Sequence, residues 1–330
     1  MRRSYHALRA ALCLAAFVCA VVGSGLALAT KVFAQATPVL PTVRVATQAF
    51  DDMIAMLYAQ RMGWFARAGL DVQVERQTTS GAAIGAAILG GTFDIGKMGL
   101  SDVIEAHEKG IPFVVIAPAG IYTSAVPISG LLVLKNGPIF SGKDLNGKIV
   151  AQTSLGDIGS VTLDSWMDQN GGDWRSIRYV EMPMSAIPAA IEAGRVDAGG
   201  SLEPVLAQAL ASGKFRFIPT YSAVAPAFVY AVWVTTRDWA DQHRAIVKTL
   251  AAVLAQSATY TNAHHADTAA MLSDFSSIPV ERIESMPRIT IGTTLRASQI
   301  QPLIEAAVRD HTIAHAFPAA EILDADTTTK

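Results

Sequence analysis

The sequence predicts an α/β protein of two doubly wound lobes joined by a two-stranded hinge. Three observations predict it. Short β-rich runs alternate with helical patterns at strand–helix–strand spacing, which builds parallel sheets covered by helices. A six-residue pattern, Gly-x-apolar-Asp-apolar-Gly, occurs at Gly91–Gly96 and again, 103 positions later, at Gly194–Gly199. Two apolar runs of a different kind, Leu131–Leu134 and Val229–Val234, lie between and after the repeats. A chain of 330 residues can bury two such cores, and its composition, 51% hydrophobic and 16% charged, excludes a disordered or coiled-coil protein. A formal net charge of −2 with no basic stripe excludes a nucleic-acid binder.

The first 36 residues read as a separate piece. Arg2, Arg3 and Arg9 precede a nearly unbroken apolar run from Ala10 to Ala29, and Ala34-Gln35-Ala36 supplies a small-x-small cleavage site. That order is a secretory signal cleaved near Ala36, with an uncleaved anchor as the alternative. Both cysteines, Cys13 and Cys19, fall inside it, so the chain from Thr37 has no disulfide, thiolate nucleophile or cysteine metal ligand. Loss of Arg2, Arg3, Arg9 and Lys31 with no acid moves the net charge from −2 to −6. No later stretch is apolar enough to cross a membrane.

The elements follow in order. Val43–Ala46 is a strand, and Asp51-Asp52 caps a helix whose apolar positions are Met53, Ile54, Leu57, Tyr58, Trp64 and Phe65. Leu70–Val74 alternates as a second strand. Ser80-Gly81 opens an Ala-rich helix to Leu89, Phe93–Gly96 is a short strand, Ser101 caps a helix to Glu108, and Phe113–Ala117 is an apolar strand. The second half repeats this with strands at Lys148–Ala151, Ile177–Val180 and Val196–Ala198, and helices at Asp157–Met167 and Ser185–Ala193. Leu131–Leu134 and Val229–Val234 then form the hinge. Helices at Trp239–Asn262, Ala266–Phe275 and Ala297–Arg309 pack back on the first lobe. The expected organisation is a signal peptide (1–36), lobe 1 (37–130), lobe 2 (131–230), the return strand and C-terminal helices of lobe 1 (231–317) and a frayed tail (318–330).

The segment Tyr58–Val72, with Gly63-Trp64-Phe65 and Gly69-Leu70-Asp71-Val72, resembles the signature of the nitrate/sulfonate/taurine-type solute-binding proteins of ABC importers. That family includes the thiamine-pyrimidine-precursor binding proteins. The likeness continues through Gly91–Gly96, Asp144-Leu145-Asn146-Gly147-Lys148 and Gly194–Pro204, and spans about Thr42 to Val234. It implies a periplasmic-binding-protein-like fold with a ligand cleft between the lobes. It also implies a monomeric periplasmic protein that takes a small-molecule solute, expected to be an anion of the sulfonate, nitrate or taurine type, to an ABC permease in the inner membrane, with no cofactor. A ligand-presenting receptor for a membrane sensor is the alternative. Enzymes on this fold, a thiamine-pyrimidine synthase and an aromatic desulfinase, rely on cysteines that the chain after the signal lacks, so no enzymatic activity is expected.

Ligands of open parallel sheets sit beyond the carboxyl ends of strands, where helix N-termini converge. Four loops satisfy this: Thr47–Asp51, Thr79–Gly81, Gly99–Asp102 and Thr153–Ser160. Three of them combine hydroxyls with glycine just before a helix, which leaves backbone N–H groups free for an anion. The candidate ligand-binding residues are Gln48, Phe50, Asp51, Ser80, Gly81, Lys97, Gly99, Ser101, Tyr122, Ser154, Asp157, Ser160, Glu203 and Tyr230. Lys97, just past a strand end, is the candidate positive group, against a solvated surface lysine. Phe50, Tyr122 and Tyr230 are candidate apolar walls, against core or hinge packing. Asp51 and Asp157 read as helix caps that also stand where a carboxylate would hold an amine. No catalytic motif is present: there is no phosphate loop, Gly99–Val103 lacks the closing glycine of a nucleophile elbow, and His264-His265, His311 and His315 read as surface histidines rather than zinc ligands.

Overall fold

The computed structural model describes residues 40–329, so the expected signal segment lies outside the described residues. The chain runs through β1 (Thr42–Thr47), a 3-10 turn at Asp51–Met53, α1 (Ile54–Arg61), α2 (Trp64–Arg67), β2 (Asp71–Arg76), α3 (Gly81–Leu89), β3 (Ile95–Gly99), α4 (Leu100–Glu108) and β4 (Phe113–Pro118). Next come β5 (Gly120–Thr123), β6 (Ser129–Leu134), β7 (Ile149–Gln152), α5 (Ile158–Gln169), β8 (Arg178–Glu181), α6 (Ile187–Glu192), β9 (Ala198–Leu202), α7 (Val205–Ala211) and β10 (Phe215–Ile218). β11 (Ala227–Val229) and β12 (Ala231–Thr236) precede α8 (Arg237–Gln242), α9 (Arg244–Ala263), α10 (His265–Ser276), α11 (Val280–Ser285), β13 (Thr290–Ile291) and α12 (Ala297–Arg309).

Two five-stranded sheets carry the lobes, in the orders β2-β1-β3-β12-β4 and β8-β7-β9-β6-β10. Written this way they have the same topology. In each, three parallel strands are followed by one antiparallel strand, β12 or β6, that enters from elsewhere in the chain. The repeated sequence pattern explains part of this equivalence. Asp94 accepts the Arg44 N–H at 2.8 Å and Asp197 accepts the Ile149 N–H at 2.9 Å, so each aspartate ties the entry of a strand to the start of its parallel neighbour. Gly91 and Gly194 hold the left-handed turn before it, at φ of 72° and 66°.

Period-two burial is clear in β6. Leu131 and Val133 face Val150, Leu163 and Met167, while Leu132 faces Ala151, Ile187 and Ile191 on the other side of the sheet. The first sheet has a larger core, because α9 and α12 add Leu250, Leu254, Ile300, Leu303 and Ile304 to it.

Several expectations are corrected. Leu131–Leu134 and Val229–Val234 do not pair with each other: the first lies in β6 and the second is divided between β11 and β12. The strands that pair between the lobes are β5 and β11, antiparallel, with β13 on the other edge of β5. Asp51 and Asp52 make no side-chain cap, since both carboxylates are engaged by distant cations. Gly99, not Ser101, occupies the N-cap of α4. The helix expected over Trp239–Asn262 breaks at His243, whose ring stacks on Trp239 at 4.4 Å. The segment after Pro318 is not frayed. Ala319, Ile322 and Leu323 are buried, and Leu323 bridges to Val115 of β4.

Candidate ligand-binding site

The carboxyl ends of β1, β3, β7 and β9 meet the N-termini of α3, α4 and α5 between the two large sheets. They enclose an inner cavity of about 60 Å³ and an adjoining outer cavity of about 840 Å³, with Gln48, Phe50, Thr153 and Met184 in the walls of both. All four loops expected from the sequence contribute lining residues.

Lys97 and Asp52 form the floor of the inner cavity. Their side chains are 4% and 1% exposed, and Lys97 Nζ donates to Asp52 Oδ1 at 2.6 Å. Phe50 lies with its ring centroid 5.0 Å from the same ammonium. Burial raises the Asp52 carboxyl above its ordinary range, and Lys97 works against that rise. Asp52 Oδ2 and the Tyr230 phenol stand beside each other in the cavity wall and have no other hydrogen-bond partner there, and the Ser201 hydroxyl, a further buried atom of that wall, has none. Tyr230 is buried and close to Asp52, and both effects raise its pKa. Buried polar atoms placed in this way are met by water or by a bound molecule.

Asp102 lines the cavity from the first turn of α4 and lies flat against Gly81. A Cβ at Gly81 would collide with Asp102 Oδ2, so a larger residue there would displace that carboxyl. Burial, then the charges of Asp157 and Glu105, push the Asp102 carboxyl up to about 8. Opposite stands Asp157, the N-cap of α5. Its Oδ2 accepts the Thr153 N–H (3.0 Å), the Thr153 hydroxyl (2.6 Å) and the Ser154 N–H (3.3 Å), while its Oδ1 accepts the Ser160 N–H (2.9 Å) and hydroxyl (3.1 Å). The loop expected to offer free amides to an anion therefore has three of them filled by its own carboxylate.

Gln48, Phe50, Gly81, Lys97, Gly99, Asp157 and Tyr230 line the inner cavity, and Ser80 lines the outer one while capping Ala83 N. The other candidates do not line either cavity. Asp51 is wholly buried against Arg288, which reaches it with two nitrogens at 2.6–3.0 Å, and it also accepts the Ile289 N–H. Ser101 is buried inside the first turn of α4, and Tyr122 packs on Tyr221 and Phe228. Ser154 and Ser160 serve Asp157, and Glu203 accepts the Ala207 N–H at 2.9 Å. Asp52, Asp102, Gln152, Ser129, Ser201 and Tyr221 line the inner cavity without having been singled out. Asp102 stood within a marked loop. The rest depend on side-chain direction or on the true register of β9.

Among the described residues no group of three or more acids or histidines is placed to hold a metal ion, and no helix is long and apolar enough to cross a membrane.

The family model described as NMT1/THI5 like matches residues 51–268, about two thirds of the sequence and most of both lobes. The chain belongs to this family. No curated protein matches it significantly. Among solved structures, it is similar to the periplasmic aliphatic sulphonate binding protein SsuA from Escherichia coli, with 19% identity and a TM-score of 0.69 over 88% of this chain and 94% of that one. It is likewise similar to the periplasmic nitrate-binding protein NrtA from Synechocystis PCC 6803, with 15% identity and a TM-score of 0.75 over 87% of each chain. The alkanesulfonate-binding protein SsuA from Xanthomonas axonopodis pv. citri, bound to MOPS, gives 16% identity and a TM-score of 0.71 over 87% and 99%. At these identities the likeness establishes the fold, that of the periplasmic binding proteins. In this NMT1/THI5-like chain both cavities lie between the two large sheets.

Proposed function

We propose that the protein is the exported solute-binding subunit of an ABC importer, and that its solute presents a nitrogen donor, an amine or an amino-substituted heterocycle, to the inner cavity. One observation carries the ligand class. The amides at the start of α5 are already filled by Asp157, and the inner cavity adds the carboxyl groups of Asp52 and Asp102. Lys97, the ammonium in that wall among the described residues, is already paired with Asp52. A sulfonate or nitrate entering here would lose its water and meet carboxyl groups, with the cavity's ammonium already held by Asp52. A donor N–H would instead meet the oxygens of Asp52 and Tyr230. This favours the amine end of the ligand set expected from the sequence over its purely anionic members.

A micromolar solute needs about −8 kcal/mol, and a charge-assisted hydrogen bond contributes about 1.5–3 kcal/mol. Two or three such bonds, assembled from both lobes, together with apolar burial reach that figure. Closure of the lobes about the β5/β11 ribbon then places donors from α4 and α5 on one molecule, and ligand shifts the population toward the closed form. The permease would read that closed pair of surfaces.

The test is a thermal-shift panel on protein stripped of carried-over solute by unfolding and refolding. At ~1,000 times its Kd a ligand stabilises by about 4 kcal/mol, or about 8 °C for a protein of this size. Aminopyrimidines or primary amines should shift the melt, while nitrate and ethanesulfonate should not. A micromolar response to nitrate or ethanesulfonate would reverse the ligand class. A flat panel would remove the case for a solute of either kind.

A further inference from the structure

We infer that the nitrogen-bearing end is only part of the solute, and that the outer cavity takes an uncharged apolar or aromatic substituent attached to it. The inference rests on reading the cleft as a solute site. The volumes set the division. At ~10–15 Å³ per water-sized sphere, 60 Å³ holds a head group of a few heavy atoms. The outer 840 Å³ lies within the ~300–1,000 Å³ typical of pockets for small organic molecules. Shared walls at Phe50 and Met184 allow one molecule to occupy both.

The chemistry of the outer walls selects the substituent. Its apolar lining includes Met182, Pro183, Met184, Pro188, Val205 and Ile278. Thioethers and prolines of this kind offer polarizable, adaptable contact to rings and alkyl chains. The charged side chains in that wall are all turned to protein partners. Arg76 donates to the Phe275 carbonyl at 2.7 Å and to the Ser277 hydroxyl, Glu181 accepts the Leu155 N–H at 2.8 Å, and Glu192 pairs with Lys214. The buried polar atoms Asp52 Oδ2, the Tyr230 phenol beside it and the Ser201 hydroxyl belong to the inner cavity. The outer wall also carries neutral polar side chains, among them Gln77, Thr78, Thr79, Ser185 and Gln208, but its apolar surface is the larger share and no charged side chain there is left without a protein partner. Because Ile278 and Phe50 come from the first lobe and Met182 and Val205 from the second, closure would press the substituent between them.

Calorimetric titration of the stripped protein with n-alkylamines from methylamine to hexylamine, with phenethylamine and with 6-aminohexanoate tests the assignment. Affinity should rise about fourfold per methylene, the ratio equivalent to ~0.8 kcal/mol. 6-Aminohexanoate, which ends the same chain in a carboxylate, should fall at least tenfold below hexylamine. In Val205→Asp the hexylamine-to-methylamine ratio, read within one folded variant, should collapse. Amines that bind without regard to chain length would overturn the outer subsite and leave the nitrogen-donor reading standing. Alkanesulfonates that gain affinity with length while amines do not bind would support the subsite and overturn the donor reading. No binding by either series would overturn both.

Discussion

At the scale of single residues, the centre of the site is a buried ion pair whose partners lie 45 residues apart. Removing one member of such a pair leaves an uncompensated charge in a low-dielectric interior and costs about 3–5 kcal/mol. Lys97→Met should therefore lower the stability measured by urea denaturation by that amount, because Asp52 is 1% exposed and has no second cation. The double variant Lys97→Met with Asp52→Asn should recover most of the loss, since no charge is then stranded. A single variant as stable as the parent would show that the pair carries no charge. The same residues show what sequence reading can and cannot reach. Lys97 was visible because the sequence placed it just past a strand end, although the structure puts it inside β3, with its side chain buried rather than solvated. Asp51 and Asp52 looked alike, as tandem helix caps, yet their side chains point to opposite sides of one 3-10 turn. Asp51 meets Arg288 in the C-terminal region, Asp52 meets Lys97 in the cleft, and no local pattern distinguishes them.

At the scale of elements, the N-terminus of α5 decides how the cleft responds to charge. Asp157 caps the helix and closes the amide nest of Thr153, Ser154 and Ser160. Asp157→Ala removes the cap, at about 1–2 kcal/mol. It also frees three N–H groups at a helix N-terminus, a ready anion site. Sulfate should then raise the melting temperature of this variant well beyond its effect on the parent, whereas Asp157→Asn keeps the cap and gains no such response. Equal sulfate responses in all three proteins would mean that the nest is closed by something other than Asp157. Elements of this kind were largely legible. α12 falls on the residues expected from its apolar spacing, and α3 begins after Ser80 as its cap predicts. The failures have local causes. A helix was carried through His243 because nothing in its period breaks there, and the stretch after Pro318 lacks periodicity because it packs through a 3-10 turn and a bridge to β4.

At the scale of the whole molecule, the two lobes repeat one topology, and that repeat was readable from the glycine and aspartate pattern. The ribbon between them was not, because β5 and β11 are only four and three residues long and the longer apolar runs beside them drew the assignment. What the assembled lobes add is a set of carboxyl groups facing one another across their junction. Asp102 on α4 faces Asp157 on α5, and burial with that charge pushes Asp102 up to about 8. Asp164 on α5, against Asp310 beyond α12, is pushed up to about 7, again by burial first. Glu203 after β9, beside Asp51, is also pushed up to about 7 by burial. A carboxyl whose pKa is higher folded than unfolded keeps its proton in the native state while the unfolded chain loses it. Between about pH 4 and pH 8 the native state therefore binds more protons, and stability falls as pH rises. Below that window the sign reverses, through Asp144 and Asp326, which their hydrogen-bond donors hold under the ordinary range. The ligand-free protein should be most stable near pH 4 and melt at least about 5 °C lower at pH 8.5. Asp102→Asn should flatten the upper part of that slope, because an amide cannot ionise against Asp157. A solute that brings an N–H donor among these carboxyls should stabilise most at the alkaline end, where they are ionised, whereas a monovalent anion should do so least. Thermal melts of the parent and of Asp102→Asn across pH 5–9, with and without the bound amine, read both slopes. A ligand-free slope that rises toward pH 8.5 would mean that these groups are not buried against one another in solution.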